Sequence, residues 1–278
     1  MVLDSYKVEE LDFDPISERN DYLRAKYWDN FVEGFVPIRG ALSSLSLFKG
    51  EMEICRRFLT KKGGGGRLLK LDLWDELFLD SVLFRICKNY DEICGVDIAP
   101  MVVKKCKEIF AAKRLPIKAR LGDIRDLPYH DGTFDFIYSM GTIEHIPRPV
   151  EAMRECYRVL RKGGRAAIGV PNKYEWFGRA LVLEVLASFG VKLGGHEICY
   201  GWKRLTEEVE SCGFRVVAKT GIYFMPWFVR MGDWFFYQRS KRFKYLFFLP
   251  IVLCNFLGKI EWVKRYGGGQ LVVVVERP

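Results

Sequence analysis

Between Arg67 and Val170, short apolar runs alternate with stretches of helical periodicity, and this alternation limits the fold more than any other feature. Strands are read at Arg67 to Leu73, Glu92 to Val96, Ile117 to Leu121, Phe134 to Ser139 and Arg165 to Val170. Helices are read at Leu77 to Cys87, Ala99 to Ala112 and Val150 to Leu160. Parallel strands need a long crossover, usually a helix, so strict alternation predicts βαβ units around a mostly parallel sheet with helices on both faces. Farther on, a helix from Leu205 to Cys212 stops at Gly213 and leads into a strand from Phe214 to Lys219; a last strand covers Gln270 to Glu276.

Before the alternation begins, residues 1–60 read as mainly helical and irregular, with helical spacing clearest from Ser46 to Phe58. Lys61-Lys62 and the four glycines 63–66 then read as a flexible joint. The expected organisation is an N-terminal helical cap, residues 1–60, on an α/β domain, residues 61–278, with an insertion at 222–268. No apolar core of a signal peptide stands in the first ten residues, and the eight cysteines lack CxxC spacing. Several lie in apolar runs, where cysteine acts as a small hydrophobe. A cytosolic, reduced protein is expected, with no metal site. The net charge of +9 leaves nucleic acid, anionic lipid or an acidic substrate as partners, and where the charge lies decides among them.

Candidate chemistry gathers at the ends of the strands. Asp97 closes the second strand 25 residues after Asp72. An acid there either caps the next helix or accepts hydrogen bonds from both hydroxyls of a ribose, and the surrounding pattern favours the ribose. Asp123, in Gly122-Asp123-Ile124, holds a turn or accepts from an exocyclic amine such as that of adenine, with Ile98 and Ile124 on either side of the ring. The turn Asp131-Gly132 opens a buried strand that delivers Ser139-Met140-Gly141-Thr142 to the sheet's carboxyl edge, where open α/β sheets bind ligands. His145 and His196 are the histidines expected near that edge. Either can take a proton from a hydroxyl acceptor, and either can be structural. Glu144 orients His145, joins it in holding a metal ion, or simply opens a helix.

Glu92 to Asp97, Gly122-Asp123, Phe134 to Pro147 and Leu160-Arg161-Lys162-Gly163-Gly164 together resemble the class I methyltransferases that use S-adenosylmethionine, closest to the ubiquinone/menaquinone-type small-molecule branch. His196, Tyr200 and the helix ending Cys212-Gly213-Phe214 are similar to a late block of the same family. The resemblance covers roughly residues 65–220 and the final strand. It implies a Rossmann-like seven-stranded sheet with the last strand antiparallel, S-adenosylmethionine as cofactor, Asp97 on its ribose and Asp123 on its adenine. The sequence departs from the family at the end of the first strand. Where the family has an acid followed by three spaced glycines, this chain reads Asp72-Leu73-Trp74-Asp75-Glu76. The acid is kept, but the glycines that let backbone approach a cofactor are gone, and Leu73 and Trp74 are expected to take their space. Asp75 and Glu76 disfavour a phosphate ligand and suit a cofactor with an amino group; equally, they cap the helix that follows.

Residues 222–268 hold 15 of the chain's 41 aromatics and eight Lys or Arg against two Asp or Glu. The apolar run Tyr245 to Leu257 has 13 residues, short of the roughly 20 that span a bilayer. A surface-lying membrane element, a lid over a greasy pocket and an ordinary helical hairpin all fit this composition. Nucleic acid is disfavoured because Leu246 to Leu253 offers no polar face. The expected activity is methyl transfer from S-adenosylmethionine to a small or lipid-like acceptor, first at oxygen. The alternatives are a non-catalytic binding protein on the same fold and, behind it, an RNA methyltransferase.

Overall fold

A computed structural model of the chain describes residues 25–26, 28–30, 41–61, 63–77, 81–188, 198–239 and 245–278. Its centre is a seven-stranded sheet in the order β3-β2-β1-β4-β5-β7-β6. The strands are β1 (Arg67–Leu71), β2 (Glu92–Asp97), β3 (Ile117–Leu121), β4 (Phe134–Met140), β5 (Leu160–Pro171), β6 (Arg215–Ile222) and β7 (Gln270–Glu276). β7 runs antiparallel to β5 and β6, and every other pairing is parallel. The helices are α1 (Leu42–Phe58), α2 (Val82–Ile86), α3 (Pro100–Ala112), α4 (Pro149–Val159), α5 (Arg179–Ser188), α6 (Trp202–Ser211), α7 (Trp227–Arg239), α8 (Phe248–Leu257) and α9 (Glu261–Gly267).

The two-residue period of the strands sorts the core into two layers. Leu68, Phe136, Tyr138, Val272 and Val274 face the side covered by α1, α2 and α3. Leu69, Ile137, Leu271, Val273 and Val275 face the side covered by α4 and α6. Both sheet faces are therefore buried, which is why the central strands read as nearly unbroken apolar runs. Five of the eight free cysteines, Cys55, Cys87, Cys94, Cys106 and Cys156, are buried in these layers as small hydrophobes.

The first crossover differs from its sequence reading. β1 stops at Leu71, two residues short of the expected end, because Asp72 turns into the left-handed region with φ 63°. The expected helix from Leu77 to Cys87 is instead a 3-10 turn over Trp74–Leu77, the short helix α2, and a second 3-10 turn over Cys87–Asn89. Ser81 caps α2 by accepting from the Phe84 backbone N–H at 3.4 Å. Leu73 folds under the sheet edge, fully buried, against Gly95 of β2, where a Cβ would overlap the leucine side chain. The four glycines before β1, read as a flexible joint, all have φ between 80° and 92°, and Gly64, Gly65 and Gly66 are tied down by hydrogen bonds. Gly65 N–H donates to the Asn89 carbonyl and Gly66 N–H to Asp91 Oδ2. Arg67 N–H donates to Asp135 Oδ2, which anchors the entry to the strand.

The aromatic insertion forms α7, α8 and α9. Phe247 packs on Gly232, joining α7 to the start of α8, and a small satellite core of Met225, Val229, Ile251 and Cys254 docks them beside Leu42 of α1. Among the described residues no helix is long and apolar enough to cross a membrane.

Gly95 and Leu73 make a direct packing test. Gly95→Ala is expected to lower stability by about 1–3 kcal/mol through overpacking, and Leu73→Ala by about 2–5 kcal/mol through a cavity. Chemical denaturation of the double variant should show a loss clearly smaller than the sum of the two, because the added methyl then enters the vacated space.

Candidate active site

β1, β2 and β3 succeed one another to one side of the sheet, and β4 returns to pair on the other side of β1. The carboxyl ends of these strands therefore border the point where strand order reverses, the usual ligand crevice of open α/β sheets. A cavity of about 800 Å³, counting its open mouth, lies there. Asp72 and Trp74 reach it from β1, Asp97 and Ile98 from β2, Asp123 and Ile124 from β3, and Gly141, Thr142, His145 and Ile146 from the segment after β4. Val96, Val102 of α3 and Trp28 from the N-terminal region complete the wall.

Asp97 is buried, with only 7% of its surface exposed. Its Oδ2 accepts from Leu73 N–H at 2.7 Å and its Oδ1 from Ala99 N–H at 2.9 Å. One carboxylate thus fastens both the glycine-less turn and the entry to α3. An ionised carboxylate has about four acceptor positions, so two remain for a ligand. Burial pushes its pKa up to about 7, with Asp72 adding to the shift and the two backbone N–H groups opposing it. Asp123 caps its own turn by accepting from Arg125 N–H at 2.8 Å, and Arg125 also grips the carboxylate from its side chain, with Nη2 to Oδ2 at 2.6 Å. The ribose and adenine candidates therefore share one cavity while also doing the capping work that is their simpler explanation.

The space expected of the missing glycines is organised by a buried lysine. Lys70, on β1 and 1% exposed, places Nζ 2.8 Å from Glu76 Oε2, 3.2 Å from Asp72 Oδ1 and 3.8 Å from Asp75 Oδ2. Burial alone would lower the ammonium's pKa, but these three carboxylates more than reverse that and hold it well above its ordinary value. Burial raises Glu76 to about 7 despite Lys70, and raises Asp72 as well. Asp72 also accepts a short hydrogen bond from the Thr142 hydroxyl, which links the end of β1 to the segment after β4. On the α1 side, Tyr138 OH donates to Glu51 Oε2 at 2.9 Å, and burial raises Glu51 to about 8. Trp74, on the 3-10 turn, borders the cavity while Leu73 turns away from it, so the replaced glycines leave a wall rather than a plug.

Several expected residues sit elsewhere. Leu73, Gly122, Ser139 and Met140 do not line the cavity. Leu73 takes part only through its backbone N–H to Asp97. Gly122 is a close-packing residue, since a Cβ there would lie 3.0 Å from both Val96 and Pro128. Ser139 and Met140 are buried within β4, and the edge is reached two residues later by Gly141, at φ 74°, and Thr142. His145 lines the cavity in an edge-on contact with Trp28, ring centroids 5.3 Å apart. Glu144 lies buried behind it with Oε1 4.0 Å from His145 Nε2, a spacing that pairs charge only when the imidazole is protonated. His196 lies outside the described residues.

Sequence reasoning did not single out Trp28, Lys70 or Ile146, and it brought Thr142 to the sheet edge without giving it a role. Lys70 carried a signal, a lone lysine inside Leu68-Leu69-Lys70-Leu71 with acids at 72, 75 and 76. Trp28 carried none, because its place depends on a distant contact: the neighbouring Asp29 accepts from Met101 N–H at 3.0 Å and so caps α3 from outside.

A seven-stranded sheet with this order and an antiparallel β7 is the Rossmann-like fold of class I methyltransferases, here with acids at three successive strand ends around the switch point. In agreement, residues 80–168 match the family described as "Methyltransferase domain". The chain is 35% identical over 79 residues to a tocopherol O-methyltransferase of Arabidopsis thaliana, covering 28% of this chain and 23% of that one. It is 26% identical over 149 residues to a ubiquinone biosynthesis O-methyltransferase of Coxiella burnetii, covering 51% and 62%. The chain thus spans under two thirds of the length of these curated relatives. A solved S-adenosylmethionine-dependent methyltransferase from Thermotoga maritima shares the fold over 92% of this chain and 99% of its own, with a TM-score of 0.58 at 17% identity.

Lys70→Met is expected to cost about 3–5 kcal/mol at pH 7, because it strands carboxylates in the core. Their folded pKa values then rise further above the unfolded value of about 4.3, so the folded state binds protons more tightly. The deficit should therefore shrink toward pH 5 and grow toward pH 8. Equal deficits at both pH values, measured by denaturation, would show that Lys70 does not compensate these acids.

Proposed function

We propose that the chain is an S-adenosylmethionine-dependent methyltransferase acting on a small, lipid-like acceptor, with oxygen as the first target. The observation that carries this reading is the single cavity shared by Asp72, Asp97 and Asp123 at the switch point. The residues suit the cofactor in chemistry and order. Asp97 has acceptor capacity left for the ribose hydroxyls, Ile98 and Ile124 offer apolar flanks for adenine, and Asp72 offers a carboxylate to an ammonium group. The bound cofactor supplies an electrophilic methyl group on a sulfonium. The protein's own task is then alignment of the acceptor and removal of its proton. His145 takes that proton on this reading, supported by its position on the cavity wall in edge-on contact with Trp28. Residues 1–60 and 222–268 form the acceptor's side of the pocket on this reading, and 222–268 also brings the enzyme to a membrane surface. The relatives named for tocopherol and ubiquinone biosynthesis support a lipid-like acceptor and an oxygen target.

A non-catalytic protein on the same fold is the second reading, and one observation favours it. Each adenosine-facing carboxylate already serves an internal donor: Arg125 for Asp123, and two backbone N–H groups for Asp97. Calorimetric titration with S-adenosylhomocysteine separates the two readings, since absence of binding leaves only the second.

Binding is expected to depend on pH through Asp97. Ribose hydroxyls bond best to the ionised carboxylate, and burial sets its pKa at about 7. Affinity should thus rise by about tenfold from pH 6 to pH 8. Asp97→Asn should bind weakly with a flat profile, and binding that persists unchanged in Asp97→Ala would remove the site assignment.

A further inference from the structure

The outer face of α8 is inverted relative to an ordinary surface helix. Its inward stripe is Ile251 and Cys254, which join the satellite core. The opposite stripe, at i, i+3, i+4 and i+7, is Leu249, Val252, Leu253 and Phe256, exposed by 75, 43, 57 and 63%. A helix packed on a soluble core normally sets polar residues there. The adjoining helices continue the pattern. On α7, Phe228, Met231 and Phe235 are exposed at i, i+3 and i+7. At α9, Trp262 is 61% exposed and meets Trp176 edge-on, with centroids 5.3 Å apart.

Positive charge borders this apolar face. From α7 to α9 the described basic residues are Arg239 and Lys259, which are exposed, and Arg230, Lys264 and Arg265, which are half-buried, with Arg230 stacked on Trp234 and Arg265 on Trp202. The only acids there are Asp233, which is 2% exposed and accepts from Ser43 N–H, and Glu261, which pairs with Lys264 at 3.0 Å. Lys264 also lies 3.6 Å from Glu53 of α1, beside a groove lined by Lys49, Arg56, Arg57 and Arg85.

We propose that α7, α8 and α9 form a docking face for an anionic lipid bilayer, with α8 lying in the plane of the interface. The inference rests on the membrane contact proposed above and assigns it a surface and a lipid charge. Ten residues make a helix about 15 Å long, half the hydrocarbon thickness of about 30 Å, so α8 lies in the surface and does not cross it. Exposed tryptophan beside an apolar stripe suits the headgroup level, and a basic rim suits anionic lipid. A second copy of the chain is a poor occupant, because a two-fold contact would set the same basic rims of two +9 chains against each other.

The test is flotation of the full-length protein with vesicles of phosphatidylcholine alone and with 30% phosphatidylglycerol added. S-adenosylhomocysteine titration and light-scattering mass run in parallel. Binding should favour the anionic vesicles and weaken as salt rises. The variant Leu249→Asp/Leu253→Asp should lower partitioning at least about tenfold, and Arg239→Glu/Lys259→Glu should abolish the preference for anionic lipid. Both pairs are exposed and outside the cavity, so ligand affinity should not change in either variant. Failure of the wild-type protein to float overturns the docking face whatever the titration shows. Loss of ligand binding with flotation intact overturns the methyltransferase reading alone. A change of mass in the aspartate variant, with flotation unchanged, assigns the face to self-association and overturns the proposal.

Discussion

One ammonium group holds the end of the first strand. Lys70 is buried in the layer between the sheet and α1, where an uncompensated charge would cost several kcal/mol. Its partners Asp72, Asp75 and Glu76 all come from the turn that follows, so satisfying the lysine fixes the path of that turn. The family that the sequence resembles has spaced glycines at this corner. This chain builds it from side chains. Asp72 takes the left-handed conformation that a glycine would otherwise supply, Leu73 is driven under the sheet edge against Gly95, and Trp74 is left as the wall of the cavity. A strained φ at a non-glycine residue costs of order 1–3 kcal/mol, and the Lys70 and Thr142 contacts to its carboxylate offset that cost.

The same economy runs through the rest of the crevice. Asp97 fastens the turn to β2 and opens α3; Asp123 closes a turn and is gripped by Arg125. Each carboxylate is therefore held in place before a ligand arrives, which lowers the ordering cost of binding. The price is competition, because a ligand must share or displace the donors already present. For Asp97 sharing is open, since it lines the cavity and two backbone donors leave it acceptor capacity. For Asp123 the bidentate guanidinium has to yield at least one of its bonds. On the proposed reading, ribose contact at Asp97 is thus the firmer half of an adenosine site, and adenine contact at Asp123 the more conditional.

The outer helices give the crevice its setting. Trp28 reaches His145 from the N-terminal region, while Asp29 beside it caps α3, so a distant piece of chain both stabilises a helix and shapes the cavity. On the other flank α1 is shared: its Met52 and Cys55 face the sheet, and Leu42 packs on the satellite core of α7 and α8. The proposed docking face on α8 is thereby joined through one helix to the layer beside the crevice.

Periodicity in the sequence determined the alternating strands and helices, the buried central sheet and the acids at strand ends, because both faces of such a sheet must be apolar and its carboxyl edge must carry the chemistry. It also marked the missing glycines and the aromatic, basic insertion. Only the tertiary structure decided what replaced the glycines: whether Leu73 and Trp74 fill a site or frame it depends on a lysine three or more residues upstream and a glycine on the next strand. It also decided that Ser139 and Met140 stop short of the edge that Gly141 and Thr142 reach, since a strand's exact end is set by its partners' register. Trp28 and the outward apolar face of α8 belong to the same category. The first is placed by a contact across 72 residues of chain; the second is apolar in sequence except for Asn255, and only the packing of Ile251 and Cys254 shows which side was left facing out.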